Sequence, residues 1–287
     1  MMRPAVALAC LVASGLLAGC ADHHNFVDPA GPRHAGAYGR PGAAPAQRGS
    51  IKVVTFNVEF GTNIEQAAAE LRDDPDLAGA DILLLQEMDA DGTDRIAAAL
   101  GLNYVYYPAS ERDGSNPLGY PVVLGNAILT RGRILSDRKV VLPHANWAND
   151  RRRTATAATI LIGGRRVQAF SVHTETPWMS LADRLDQARA ITDAIDTGAD
   201  LVVVGGDFNT LDRISRAETD RVFAEAGFER VSADTGGSLR VGLMDFDIDH
   251  IYARGPGGAA AKVIRKGTAP RSAASDHLPV WADLRVR

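Results

Sequence analysis

From position 51 the chain alternates short apolar runs with amphipathic stretches, and each run has a readable period. "IKVVTFNV" is rich in β-branched residues and predicts a strand. "DILLLQE" is short and continuously apolar, which suits a strand covered on both faces. Between them "IEQAAAELRD" predicts a helix with Asn63 as its cap. "TDRIAAALG" predicts a second helix that Gly101 stops. "YVYY", "NAILTR" and "ILSDRKVVL" predict strands, and "TATAATILI" with "RRVQAFSVH" predicts two more, joined as a hairpin at Gly163 and Gly164.

"SLADRLDQARAITDAI" has apolar residues at 181, 185, 188, 191 and 195, a single helical stripe. "ADLVVVGGD" returns to strand and "ISRAETDRVFAEAG" to helix, with three last strands expected near 247–252, 260–266 and 278–286. Strands outnumber helices, and helices recur between strands in both halves. The expected fold is therefore α/β, a four-layer sandwich of two packed mixed β-sheets flanked by helices. Residues 50–287 are enough to build it as one domain.

The first fifty residues follow a different pattern. "MMRPAVALACLVASGLLAGC" has one early positive charge and then an uncharged apolar run, a secretory signal pattern. Its end, Leu17-Ala18-Gly19-Cys20, resembles the lipobox of bacterial lipoproteins, in which the cysteine is acylated after cleavage. Residues 1–19 are expected to be a signal peptide and Cys20 the lipidated residue. The protein would then be exported and lipid-anchored to a bacterial membrane, facing the periplasm or the cell surface. Residues 20–49 are Gly/Pro/Ala-rich without an apolar period and are expected to form a flexible tether.

Composition narrows the possibilities only modestly. The chain has 287 residues, a net charge of −4 and two cysteines, both within the first twenty positions. The body therefore has no disulfide framework and no thiolate metal site. No P-loop, H-E-x-x-H or G-x-S-x-G motif occurs, so nucleoside-triphosphatase, zincin and serine-hydrolase chemistries lack support.

Acids, amides and histidines repeatedly close the apolar strands. Asn57 ends "VVTFN", Glu87 ends "ILLLQE", and His173 ends "AFSVH". Asp207 and Asn209 end "LVVVGGDFN", Asp249 lies in "FDIDHIY", and Asp276 with His277 precedes "LPVWADL". Each alone is an ordinary turn former. Together they are the polar groups that α/β proteins gather at strand ends, where loops present them on a rigid frame. In "GGDFN" the strand period sends Asp207 and Asn209 one way and Phe208 the other, as an apolar anchor.

"TFNV", "LLLQE", "GNAIL", "SVHTE", "GGDFN", "DHIY" and "SDHLPV", in that order from about Lys52 to Leu284, resemble the motifs of the endonuclease/exonuclease/phosphatase superfamily. The resemblance implies the same sandwich fold and a metal-dependent phosphodiesterase, nuclease-like in the first instance. The alternatives are a phosphatase or sphingomyelinase-like hydrolase of lipid or small phosphoesters, and an anchored binding protein without catalysis. It also implies a Mg²⁺ cofactor, with Mn²⁺ as a substitute, held by Glu87 with Asn57 and Asp276, an all-oxygen set suited to a hard cation. Asp207 and Asn209 would orient or deprotonate the attacking water, and Asn209, His277 and Arg153 would hold the phosphate. Asp249 would orient His277, and His173 would donate to a non-bridging oxygen. The implied partners are a nucleic acid or phospholipid-headgroup phosphoester and, through the N-terminal lipid, the membrane; a monomer is expected. Substrate choice is expected in loops 108–121, 142–153, 174–180 and 234–246.

Overall fold

A computed structural model of the chain describes residues 24–39, 49–112, 114, 118–196, 198–242 and 244–285. In chain order the strands are β1 His34–Ala37, β2 Ser50–Asn57, β3 Ile82–Met88, β4 Asn103–Arg112, β5 Val122–Thr130, β6 Arg133–Ala145, β7 Arg152–Ile162 and β8 Arg165–His173. They continue as β9 Leu201–Asp207, β10 Glu229–Arg230, β11 Leu239–Val241, β12 Met244–Phe246, β13 Asp249–Arg254, β14 Lys262–Thr268 and β15 Val280–Arg285. The helices are α1 Ile64–Asp73, α2 Ala90–Leu100, α3 Leu181–Asp193 and α4 Arg213–Glu225.

Seven strands form one sheet in the order β1-β4-β5-β3-β2-β15-β14, and six form the other as β10-β13-β9-β8-β7-β6. Both sheets are mixed: β2 pairs β3 in parallel and β8 pairs β9 in parallel, while their other neighbours run antiparallel. The period of two explains the layers. Along β2 and β3, Val53, Ile82 and Leu84 join Val167, Val203 and Ile251 of the opposite sheet in a central core. The alternate residues Val54, Phe56, Leu83 and Leu85 face outward onto α1 and α2. Phe170, Val172 and Val204 likewise face α3 and α4. Strands buried on both faces therefore sit between two helical layers, which is the sandwich expected from the sequence.

Several local details differ from expectation. Asn63 precedes α1 but makes no side-chain cap; its amide donates instead to the Ala273 carbonyl at 3.3 Å. Helix α2 begins earlier than "TDRI" because Asp89 caps it, accepting from the Gly92 N–H, and Gly101 ends it in the left-handed region. Strand β4 runs on past "YVYY" to Arg112, and the short β10 and the β11–β12 hairpin carry no alternating pattern that announces them.

The tether expectation fails for residues 24–39. β1 adds to the edge of the seven-stranded sheet, His34 opposite Tyr106. The Lys139 ammonium donates to the carbonyls of Phe26, Asp28 and Gly31 at 2.7, 3.2 and 2.9 Å. Arg33 forks onto Asp137 at 2.6 and 2.7 Å. This segment docks through its backbone, the Arg33 ion pair and polar contacts of Asn25 and Tyr38, so no apolar period was there to read. Residues 40–48 and the Leu17–Cys20 motif lie outside the described residues.

Candidate active site

Three strand ends of the six-stranded sheet set one row of polar groups. Asp207 on β9 lies opposite Asp249 on β13 and beside His173 on β8. The two glycines before Asp207 let the backbones approach: a Cβ on Gly206 would fall onto the Val172 carbonyl, and one on Gly205 would meet Leu84 Cδ1 at 2.7 Å. Phe208 turns away as expected, buried edge-on to Phe223 and Tyr252. From the facing sheet, the Asn57 amide crosses to donate to Asp207 Oδ2 at 3.1 Å. Gln86 and Ser171 staple the sheets just below, with Gln86 Nε2 donating to Ser171 Oγ and Ser171 Oγ donating to the Leu85 carbonyl, both at 2.9 Å.

His277 arrives on the loop before β15. Its N–H donates to Ser275 Oγ, whose hydroxyl donates to the Asn57 carbonyl, and Leu278 N donates to the Ser238 carbonyl. Its Nδ1 lies 2.8 Å from Asp249 Oδ2, and its Nε2 is 3.8 Å from Asp207 Oδ2. Burial alone would discharge this ring. Asp249, by charge and hydrogen bond, then Asp207 and Asp276, reverse that and push its pKa up to about 10. Asp207 is held above the usual carboxylate range, first by burial and then by the Asp249 charge, although His277, Asn209 N–H and Asn57 pull it back. His173 goes the other way. Burial, then Arg153, Arg112 and His277, keep it neutral, with its Nε2 3.4 Å from Asp207.

The acid side of the site is built differently. Glu87 Oε2 accepts from the Phe60 N–H at 3.0 Å, and Oε1 is 3.9 Å from His173 Nδ1. Glu59 accepts from the Asp276 N–H at 3.2 Å. Burial and then the charge of Asp276, with Glu87 adding to it, raise the Glu59 pKa. Asp276 is raised too, by burial first and by Glu87, against a downward pull from His277. Acid charge gathered in this way is what a cation would relieve, and the donors of Glu59, Glu87 and Asp276 are all oxygens. Glu59, Phe60 and Glu87 also hold φ values of 40°, 58° and 56°, and Asn209 one of 52°. Left-handed conformations in residues with side chains cost about 1 kcal/mol or more each, and such strain collects at functional sites.

Asp207, Asp249 and His277 offer a second cation position, since a ligand atom from each lies within 4.8 Å of the others. There, however, His277 Nδ1 is already spent on Asp249, and the ring carries positive charge. On the Glu59–Glu87–Asp276 side the donors are all carboxylate oxygens, the kind a hard cation takes, and the charged His277 ring reaches only its edge, 3.9 Å from Asp276.

A cavity of about 450 Å³ opens over both sides, lined by Asn57, Glu87, His173, Asp207, Asn209 and His277. Arg112, Arg151, Arg153, Trp147 and Trp178 line the same cavity. Arg153 Nε donates to Glu175 at 3.2 Å, and Asn146 donates to the other oxygen of that carboxylate. Arg152, its neighbour, does not line the cavity. The Asn209 amide donates to the Thr174 carbonyl at 3.0 Å, and its backbone N–H to Asp207 Oδ1 at 2.9 Å.

The structure thus brings together Asn57, Glu87, Arg153, His173, Asp207, Asn209 and His277 on one cavity, with Asp249 behind His277 and Asp276 at its rim. Cys20 lies outside the described residues. Sequence reasoning missed Glu59, two residues after Asn57; Glu175, inside the quoted "SVHTE"; and Arg112. It also missed Ser238, whose hydroxyl accepts from the Asp249 N–H at 2.9 Å. Only Glu59 and Glu175 were adjacent to a motif that could have flagged them.

Residues 54–277 match the model described as "Endonuclease/Exonuclease/phosphatase family". Among curated proteins nothing matches the chain. Among solved structures, a family protein from Leptotrichia buccalis C-1013-b superposes with a TM-score of 0.62 at 16% identity, over 82% of this chain and 99% of that one. D. rerio TDP2 in complex with single-strand DNA product gives 0.61 at 17%, over 82% and 98%. Sphingomyelinase C from Streptomyces griseocarneus gives 0.54 at 20%, over 82% and 99%. At these identities the likeness concerns the fold.

Proposed function

Because the chain belongs to the endonuclease/exonuclease/phosphatase family, we propose that this phosphoester hydrolase cleaves phosphodiesters by attack of an oriented water. The observation that carries this reading is the buried Asp249–His277–Asp207 row beside an acid cluster, with Asp207, His277 and Glu87 opening on one cavity that arginines also line. Asp207, fixed by the Asn57 amide and the Asn209 N–H, points one oxygen at the space between the two histidines and is the acceptor for the proton of the water. His277, kept charged by Asp249, donates to the phosphate as negative charge grows. Neutral His173 and Arg153 supply further donors to the non-bridging oxygens.

Glu87, with Glu59, Asp276 and Asn57 beside it, would hold Mg²⁺ or Mn²⁺. When bound, such an ion neutralises phosphate charge and stabilises the leaving oxygen.

Nucleic acid is the first substrate class in this reading, and a lipid headgroup or small phosphoester the alternative. A panel of oligonucleotides, plasmid DNA, sphingomyelin, phosphoinositides and a simple diester, each with Mg²⁺ and with excess chelator, separates them. Metal-dependent hydrolysis of at least one diester is expected. Binding without turnover of any would instead make the chain an anchored binding protein. Cys20 is proposed as the lipid anchor; Cys20→Ser should move the protein out of the membrane fraction, and unchanged retention there would contradict it.

A further inference from the structure

The cavity lining includes one buried cation, Arg112, that makes no ion pair among the described residues. Arg153 is committed to Glu175, and Glu175 is itself saturated by Asn146, Thr176 N–H and the charge of Arg153. Arg112 at the end of β4 differs. Its guanidinium lies 5.3 Å from the Phe60 ring centroid, its Nε is buried without a hydrogen-bond partner, and no described carboxylate pairs with it. Burial destabilises its charge; Glu87 counters this, while Arg153 and Arg151 add to it. A desolvated cation facing a cavity is stabilised by an incoming anion.

Beside it stand two tryptophans that are largely exposed yet line the same concavity, Trp147 at 75% and Trp178 at 56%. Trp147 is not loose: its indole N–H donates to the Trp178 carbonyl at 3.0 Å, which fixes one ring relative to the loop carrying the other. Exposed aromatic rings grouped in a concavity are apolar surface that a flat ligand can cover. Rings next to guanidinium groups are the pairing that stacks a planar base while holding its phosphate. A phospholipid would also offer its phosphate to the arginines, but it presents no planar ring for the indoles to stack on.

We propose that Arg112, Trp147 and Trp178 form a specificity subsite for a nucleotide-type unit, Arg112 binding its phosphate and the tryptophans stacking its planar ring. This rests on the phosphoesterase reading and names the substrate class of that same cavity.

Two esters with one leaving group test it: thymidine 5′-(p-nitrophenyl phosphate) and methyl p-nitrophenyl phosphate, assayed on the full chain with Mg²⁺. The wild type should prefer the nucleoside ester in kcat/KM. Trp147→Ala and Trp178→Ala should cut that preference by about tenfold, mainly through KM, as loss of a stacking partner does. Arg112→Gln should raise KM for the nucleoside ester by about tenfold, the scale of a lost charged hydrogen bond. An unchanged preference in both tryptophan variants overturns the subsite. So does a preference that survives while hydrolysis of sphingomyelin in vesicles falls, which would assign the rings to a lipid surface. If the wild type cleaves neither ester, the phosphodiesterase reading fails, and calorimetry with thymidine 5′-phosphate still decides the subsite. Saturable binding weakened in all three variants supports it; equal binding in variants and wild type, or none in the wild type, overturns it.

Discussion

The two sides of the cavity floor use the same residue types and solve opposite electrostatic problems. On one side Asp249, His277, Asp207 and Asn57 form a chain in which acids face a charged imidazole and an amide at 2.8 to 3.8 Å. On the other, Glu59 and Asp276 are raised by burial and by neighbouring acid charge, that of Glu87 included; His277 pulls both back only in part, and backbone N–H groups donate to Glu59 and Glu87. The first side is complete as folded and is suited to moving and stabilising charge during the reaction. The second, an all-carboxylate set, is the side proposed to take a cation. A carboxylate's role here follows from what already neutralises it, not from its being an acid at a strand end.

The largest expected effect breaks the completed side. His277→Ala should lower kcat by about a hundredfold or more, as removing a main electrostatic donor does. Asp249→Asn should be comparably severe, because the ring loses both its charge partner and its tautomer control. The double variant should be little worse than either single one, since the two act as a unit. Rates and thermal melts of all three decide it; multiplicative losses would mean the residues act separately.

Glu87→Gln tests the acid side. It removes one charge at nearly constant shape and should raise the Mg²⁺ concentration for half-maximal activity by about tenfold. A cation titration of activity in wild type and variant measures this, and superimposable curves would count against the assignment.

A pH–rate profile sharpens the contrast further. Asp207 works ionised and His277 works protonated, so kcat/KM should rise as Asp207 ionises and fall as the pH passes the His277 value of about 10. In Asp249→Asn the main force raising the imidazole pKa is gone. Its alkaline limb should therefore move to lower pH, toward the ordinary imidazole range, while Glu87→Gln should leave that limb closer to its wild-type position.

The smallest effect concerns the docked N-terminal segment. Asp137 is drawn down by hydrogen bonds from Arg33 and Tyr107, which outweigh its burial. A depressed carboxylate stabilises the fold above its unfolded pKa, about 3.9, and that contribution is lost as the pH falls through the folded value. Arg33 is half exposed, so Arg33→Ala should cost less than about 1 kcal/mol at neutral pH. The difference from wild type should begin to shrink in thermal melts near pH 4 and vanish once the pH is below the depressed folded value of Asp137.

The sandwich was legible because its inner strands are buried on both faces, so "ILLLQE" and "LVVVGGD" carry near-continuous apolar runs. Most of the site was legible because Asn57, Glu87, His173, Asp207 and Asp249 sit where those runs stop. Arg112 was not, since β4 continues through the polar "PASER" and nothing in that composition marks a buried guanidinium. Loops 142–153 and 174–180 do form the cavity wall, yet the pairing of Trp147 with Trp178 comes from a contact across thirty-one positions. Residues 24–39 were misread because a backbone-docked edge strand leaves no side-chain period.

The central claim is that the cation belongs to the Glu87 side and not to the Asp249–His277 side. Isothermal titration of Mn²⁺ into wild type, Glu87→Gln and Asp249→Asn measures this without any turnover. The account predicts binding weakened by about tenfold or more in Glu87→Gln and close to wild type in Asp249→Asn. Binding lost in Asp249→Asn and retained in Glu87→Gln would place the ion among Asp207, Asp249 and His277 and contradict it.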